Sequence, residues 1–293
     1  MPKRVLIQLD CDPQPSTFDA IVAVDAGADV LLRHGGVTPE TVVSLVHGGM
    51  FTRGGSELAS TAIFIGGSDV AAAEAVARQV AQTFFGPVRL GVLVDPSGAN
   101  TTAAAAVVAA LRHLVSGGQP ARAVVLGGTG PVGQRVGRLL ARKGLQVTLG
   151  SRSLERAEAA ARSIAEQVPG ANVRAVSAHG TVTPGSPLAA VLANADLVVA
   201  AGAAGAMLLD ATGREMAASA RVIIDLNAVP PAGIAGIVAA DKARTDGMQV
   251  LYGALGVGGT KLKIHRAALE RIFSQPAVLL DAEELLVIGE TIG

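Results

Sequence analysis

The sequence predicts an α/β protein of two domains with an interdomain cleft, the second a Rossmann-type doubly wound parallel sheet. Three observations carry this. Short β-branched runs alternate with Ala-rich helical stretches along the 293 residues. The runs are apolar throughout rather than alternating, as when helices cover both faces of a sheet. A glycine-rich joint also falls directly between one such run and the helix after it. The runs include Val5 to Leu9, Thr61 to Ile65, Val88 to Val94, Val124 to Leu126, Val147 to Leu149, Leu197 to Val199 and Val222 to Ile224. Between the third and fourth, Asn100 is a good N-cap for a long Ala-rich helix, and Ser116 to Pro120 marks a break in composition. A second strand-helix series then runs to about Tyr252, and two last helices, from Thr260 to Phe273 and from Asp281 onward, can pack back on the first domain. The expected domains are therefore residues 1–101 with 272–293, and residues 102–271.

Composition excludes several roles. Half the residues are apolar, so a large core is available, and 24 basic side chains balance 24 acidic ones. Nothing therefore draws the chain as a whole to nucleic acid or to an anionic membrane. Aromatic residues make up 2% of the chain, which removes the stacking platforms of single-strand binders. The single cysteine, Cys11, points to a reducing compartment, with the cytoplasm as the expected location. The opening MPKRVLIQLD lacks the length of a signal peptide and reads as a first strand. The longest apolar stretch, Leu197 to Leu209, falls short of the roughly 18 residues that cross a bilayer. His34, His47, His113 and His179 show no ligand spacing, so no metal is expected. No G-x-S-x-G elbow is present either, and the chemistry is expected to come from a cofactor.

The strongest local signal is Gly128-Thr129-Gly130-Pro131-Val132-Gly133, a G-x-G-x-x-G between strand and helix. In a dinucleotide site the first glycine permits the tight turn, the second lets the backbone approach a pyrophosphate, and the third allows close helix packing. An ordinary glycine turn is the plain alternative. About twenty residues on, where NAD enzymes carry a carboxylate for the ribose 2′-hydroxyl, this chain has Ser151 and Arg152. A guanidinium there suits a 2′-phosphate and favours NADP over NAD, with Arg156 a second candidate; a merely solvated arginine is the alternative. Near the C-terminus, Lys261 and His265 stand at i and i+4 after a run of glycines read as flexible, and so share one helix face. They suit substrate contact or, more plainly, a surface Lys beside a half-buried His. Ser16, Phe18 and Asp19 follow the first strand, and Asn100, Thr101 and Thr102 follow Asp95, both places where α/β sites form. Simple helix capping would also account for them.

Together DxxPSxFD (Asp12 to Asp19), FTRGG (Phe51 to Gly55), STAIFIGG (Ser60 to Gly67), GANTTAAA, GTGPVG, DLNAVPPAGIAGI (Asp225 to Ile237) and GALGVGGTKLKIHR (Gly253 to Arg266) resemble one family. It is the NAD(P)-dependent methylene-tetrahydromethanopterin dehydrogenases, which are similar in fold to methylene-tetrahydrofolate dehydrogenases. The resemblance spans essentially the whole chain and lies closer to the NADP-using branch. It implies hydride transfer from the methylene carbon of a reduced pterin to nicotinamide, giving a methenyl cation in one-carbon (formaldehyde) metabolism. It implies catalytic roles for Phe18, Thr102, Lys261 and His265; from their places beyond the strand ends Ser16, Asp19, Asn100 and Thr101 are expected to bind substrate. It also implies a homo-oligomer, a trimer, whose cleft is completed by a neighbouring subunit. A positive charge on Lys261 beside a forming cation would oppose the reaction unless it faces a pterin oxygen or is partly neutral through desolvation. A methylene-tetrahydrofolate or dual-carrier enzyme, a non-catalytic NADP-binding protein and an unrelated hydroxy-acid dehydrogenase are the competing readings.

Overall fold

The computed structural model describes residues 2–114, 118–179, 182–275 and 277–292. The chain divides into two compact units, Met1–Thr101 with Leu262–Ile292, and Thr102–Lys261. Residues 116 and 117 of the expected joint lie outside the described residues. The chain re-enters the first unit at Leu262, earlier than the 271/272 boundary read from sequence. The reason lies in contacts that begin at once: the His265 ring stacks on Phe64, Arg266 pairs with Asp25, and Arg4 lies over the Phe273 ring.

Along the chain the first unit is built of β1 (Val5–Asp10), α1 (Thr17–Asp25), β2 (Val30–His34), α2 (Pro39–Phe51), β3 (Thr61–Gly66), α3 (Val70–Thr83) and β4 (Gly91–Val94). Helix α4 (Ala99–Leu111) leads into the second unit. There follow β5 (Arg122–Leu126), α5 (Pro131–Arg142), β6 (Gln146–Ser151), α6 (Leu154–Gln167), β7 (Val173–Ser177), α7 (Pro187–Leu192), β8 (Leu197–Ala200), α8 (Ala211–Met216), β9 (Val222–Asp225), β10 (Lys242–Asp246) and β11 (Gln249–Tyr252). Helix α9 (Ala254–Ser274) returns to the first unit, where β12 (Leu279–Leu280) and α10 (Ala282–Ile292) end the chain.

The first unit carries a five-stranded parallel sheet in the order β12-β4-β3-β1-β2. Its central strands β3 and β4 are buried at every position, matching their unbroken apolar runs. Side chains of Ser16, Thr38 and Asp69 cap α1, α2 and α3 by accepting backbone N–H groups. The second unit carries a seven-stranded sheet in the order β10-β11-β9-β8-β5-β6-β7. From β7 to β11 it is parallel with the order reversing between β5 and β8, which is the doubly wound pattern with its topological switch point. Only the edge strand β10 runs antiparallel, and all five of its residues are exposed.

Two features differ from the sequence reading. A strand, β12, stands between the last two helices and pairs with β4. Helix α9 begins at Ala254 rather than at Thr260, so the glycines before Lys261 are helical and not a flexible loop. Close approach explains Gly256, and Gly253 just before the helix: a Cβ at Gly256 would land on the Asp241 carbonyl, and one at Gly253 on the Val238 carbonyl.

Candidate active site

In the second unit β5 ends in Leu126 and α5 starts at Pro131, so the glycine loop spans the switch point of the sheet. The left-handed residue is Gly127, with φ +70°, and not Gly128 as the motif spacing suggested. A Cβ at Gly127 would also strike the backbone of Gly202 in the loop after β8. Gly128 N–H donates to the Gly150 carbonyl at 3.0 Å, tying the loop to β6. Gly133 has no room for a side chain, since its Cβ would fall on the Gly127 carbonyl, so it sets the close packing of α5 against the turn. Gly130 is the N-cap of α5 with no side-chain cap, and Pro131 takes the first helical position. An uncapped helix N-terminus leaves backbone N–H groups and the positive dipole end for an anion.

A cavity of about 980 Å³ opens over this loop. Thr129, Gly130, Ser151, Arg152, Arg156 and His179 are among its walls. Ser151 and Thr129 hydroxyls lie 3.3 Å apart, joining the end of β6 to the glycine loop, and Ser151 Oγ accepts from Ser153 N–H. Ser153 in turn caps α6 by accepting from Arg156 N–H. The capping thus coexists with the placement of both guanidiniums at the cavity, and no acidic residue replaces Ser151 at the end of β6. The size, the open helix end and the glycine turn fit a dinucleotide.

A device missed from the sequence shapes the loops beyond the strand ends. Strands β1, β4 and β9 each end at or one residue before a buried Asp, visible in retrospect as VLIQLD, VLVD and VIID. Asp10 accepts from the N–H groups of Asp12 and Ser16. Asp95 accepts from Asn100 N–H at 2.9 Å, Thr101 N–H at 3.1 Å and the Thr101 hydroxyl at 2.6 Å. Asp225 accepts from Asn227 and Ile234 N–H groups, and burial pushes its carboxyl above the ordinary value despite those bonds. Each carboxylate converts the chain reversal after a strand into a fixed shape by pairing backbone donors that would otherwise be buried unsatisfied.

These contacts correct one expectation. Asp95, not Asn100, caps the start of α4. The Asn100 side chain donates to the Val94 carbonyl and to Asp281, and both Asn100 and Thr101 are fully buried, so both support the loop. Ser16 likewise spends its hydroxyl on Asp19 N–H as the cap of α1. Asn100 and Thr101 hold the first turn of α4, on which Thr102 follows as a half-buried residue. The turn leading there is strained: Ser97 sits at φ +55° without being glycine.

Phe18, Asp19 and His265 come together in the first unit. Phe18 is 54% exposed, whereas the His265 side chain is 1% exposed between the rings of Phe18 and Phe64, at centroid distances of 6.4 Å and 5.6 Å. His265 Nδ1 lies 4.0 Å from Asp19 Oδ1. Phe64, inside β3, was not singled out by sequence because it reads as core. Lys261 precedes His265 by one turn on α9 and is half-buried. Among the described residues no group of three or more His, Cys, Asp or Glu side chains could hold a metal ion, and no helix is long and apolar enough to cross a membrane.

Fold and glycine loop define the class: a dinucleotide-binding α/β protein of the Rossmann kind. Over 99% of this chain and 96% of the other, it superposes with a TM-score of 0.54 and 15% identity on a shikimate dehydrogenase solved with NADP+. A shikimate 5-dehydrogenase from Listeria monocytogenes gives the same score at 12% identity, covering 99% of this chain and 96% of that one. Sequence kinship is narrower. Residues 17–97 match the family described as "Methylene-tetrahydromethanopterin dehydrogenase, N-terminal". The chain is 44% identical to the bifunctional protein MdtA of Methylorubrum extorquens over 99% of both chains. It is 35% identical, over 89% of each, to the NAD(P)-dependent methylenetetrahydromethanopterin dehydrogenase of the same organism. The chain belongs to the methylene-tetrahydromethanopterin dehydrogenase family.

Proposed function

We propose that this protein oxidises methylene-tetrahydromethanopterin to the methenyl form with NADP as hydride acceptor. The observation that carries the reading is the kinship, over 89% of both chains, with a relative named for that activity. The dinucleotide cavity of the second unit supports it. Bound there, a nicotinamide cofactor supplies the electron-pair acceptor for the reaction. The chain's own part is binding and orientation. Backbone N–H groups at the start of α5 hold the pyrophosphate, Gly127 and Gly133 let the loop come close, and Arg152 with Arg156 takes the 2′-phosphate. Phe18 offers an exposed ring to the pterin, and Thr102 offers a hydroxyl from α4. Half-buried Lys261 offers its amine to the carrier, and buried His265, one turn on, backs the Phe18 ring. Because the methenyl product is stabilised by its two flanking nitrogens, no general base is required and positioning dominates. Reacting atoms must be held within about 3 to 3.5 Å for that positioning to count.

A homo-oligomer, a trimer on the family resemblance, and a cytoplasmic location belong to the same reading; exposed Ile21 and Val24 on α1 support burial against another copy. Light scattering that returned a monomeric mass for the active enzyme would remove the oligomer. The activity itself is tested by following nicotinamide reduction with methylene-tetrahydromethanopterin and methylene-tetrahydrofolate as carriers, each with NADP and NAD. Turnover is expected with the first carrier and NADP; its absence there overturns the reading, and faster turnover with the folate carrier moves it to the neighbouring enzyme class.

A further inference from the structure

A ribose 2′-phosphate asks for donors on more than one side. It carries a charge of about −1.5 to −2 at neutral pH and presents three acceptor oxygens that point in different directions. Arg152 and Arg156 belong to the turn after β6 and to the first turn of α6, so both guanidiniums reach the cavity from that one segment. The neighbouring wall is the chain that leaves β7. Strands β6 and β7 run parallel, and their last paired residues are Ser151 and Ser177. The tie continues one residue further, because Ala178 N–H donates to the Ser151 carbonyl at 2.8 Å. Arg152 then stands one residue beyond Ser151 and His179 two beyond Ser177, and both line the same cavity. Past His179 the chain is held again at Val182, which is 5% exposed and packs in the core of the second unit.

We infer that His179 is a third ligand of the NADP 2′-phosphate and therefore a residue that sets the preference for NADP over NAD. The inference rests on the cofactor reading proposed above and deepens it by naming a contact on the β7 side of the same cavity. An imidazole donates an N–H to a phosphate oxygen whether it is neutral or protonated, so the contact does not depend on its charge state. His179 is exposed, so its ring can turn to a ligand without disturbing the core. Among the described residues the remaining charged side chain on the cavity wall is Asp210, whose Oδ1 accepts from Gly213 N–H at 2.7 Å as the cap of α8. Two plainer roles compete: a solvated loop histidine, and an imidazole packed on the adenine base. Neither would distinguish NADP from NAD, since the two cofactors share the base and differ only in the 2′-phosphate.

The experiment is a calorimetric titration of the intact protein, with no carrier present, by NADP, NAD, adenosine 2′,5′-bisphosphate and AMP. Wild type, His179→Ala and His179→Gln are compared, with melting temperatures alongside. His179→Ala should weaken NADP and the bisphosphate by about five- to tenfold and leave NAD and AMP within about twofold, at an unchanged melting temperature. His179→Gln, which keeps a neutral donor, should recover part of that loss. Equal weakening of NADP and NAD would move the imidazole to the base and overturn the inference, and so would unchanged binding of all four ligands. A wild-type protein that binds neither NADP nor the bisphosphate overturns the cofactor reading, and this inference with it. Tight NADP binding without turnover of any carrier overturns the proposed reaction alone, because the ratio of NADP to NAD affinity is read without a carrier.

Discussion

Replacing Arg152 by Ala tests cofactor choice where the structure is most specific. Arg152 follows the last residue of β6 and precedes the Ser153 cap of α6, so its removal disturbs neither the strand ladder nor the cap. Its side chain lines the cavity together with that of Arg156. A charge-assisted hydrogen bond is worth about 1.5 to 3 kcal/mol, and a second guanidinium left in place should hold the single loss to the lower part of that range. About 1.5 to 2 kcal/mol corresponds to a roughly 10- to 30-fold rise in the KM for NADP. The KM for NAD, which lacks the 2′-phosphate, should move by less than about twofold. Arg152→Ala with Arg156→Ala should approach a loss of about 100-fold or more if the two act as a pair. Initial rates at saturating carrier, with each cofactor varied in turn, give both constants. Equal losses with NADP and NAD would refute the reasoning and make Arg152 structural, while an unchanged KM for NADP would remove it from the site.

Lys261→Met should lower kcat for hydride transfer by about 10² to 10³, or roughly 3 to 4 kcal/mol of transition-state stabilisation, with NADP affinity almost unchanged; pre-steady-state rates and a cofactor titration check this. Asp95→Ala strands two backbone N–H groups and the Thr101 hydroxyl in a fully buried turn, so a loss of about 3 to 5 kcal/mol is expected in urea unfolding. Asp95→Asn, which still offers one acceptor, should lose less. The Cys11 thiol is pushed up to about 11, first by burial and then by Asp10, Asp12 and Asp69. Its alkylation at pH 7.5 should therefore run about 100-fold slower than that of an exposed cysteine and keep accelerating above pH 10. Because the folded state holds that proton more tightly, the associated stability is intact at neutral pH and falls as pH rises toward and through about 11, a decline that Cys11→Ala should flatten.

Much of the site was legible because its residues act through local backbone geometry. A strand-turn-helix with glycines at Gly128, Gly130 and Gly133 needs no distant partner to be read, and neither does the missing carboxylate at Ser151. Lys261 and His265 could be placed on one face by helical spacing alone. Residues whose roles depend on partners far along the chain were read less well. Asn100 looks like a cap in the sequence, yet the carboxylate that caps α4 is Asp95 and the Asn100 amide reaches Asp281. The glycines at Gly253 and Gly256 look flexible, yet Gly256 lies inside α9 and Gly253 directly before it, and both are small because the backbone of residues 238–241 passes against them.

Periodicity and composition by themselves determined the α/β class, the strands buried on both faces and the helix that carries Lys261, since burial of apolar runs and helical spacing are properties of neighbouring residues. Tertiary structure decided the strand order, the antiparallel polar edge β10, the left-handed turn at Gly127 and the meeting of Asp19, Phe64 and His265. Those outcomes depend on which distant segments share a sheet or a helix face. A carboxylate at the end of a strand is a surface charge until the chain that follows folds back over it; then the same group becomes the acceptor that shapes a loop or, at Asp19, the charge beside a buried imidazole.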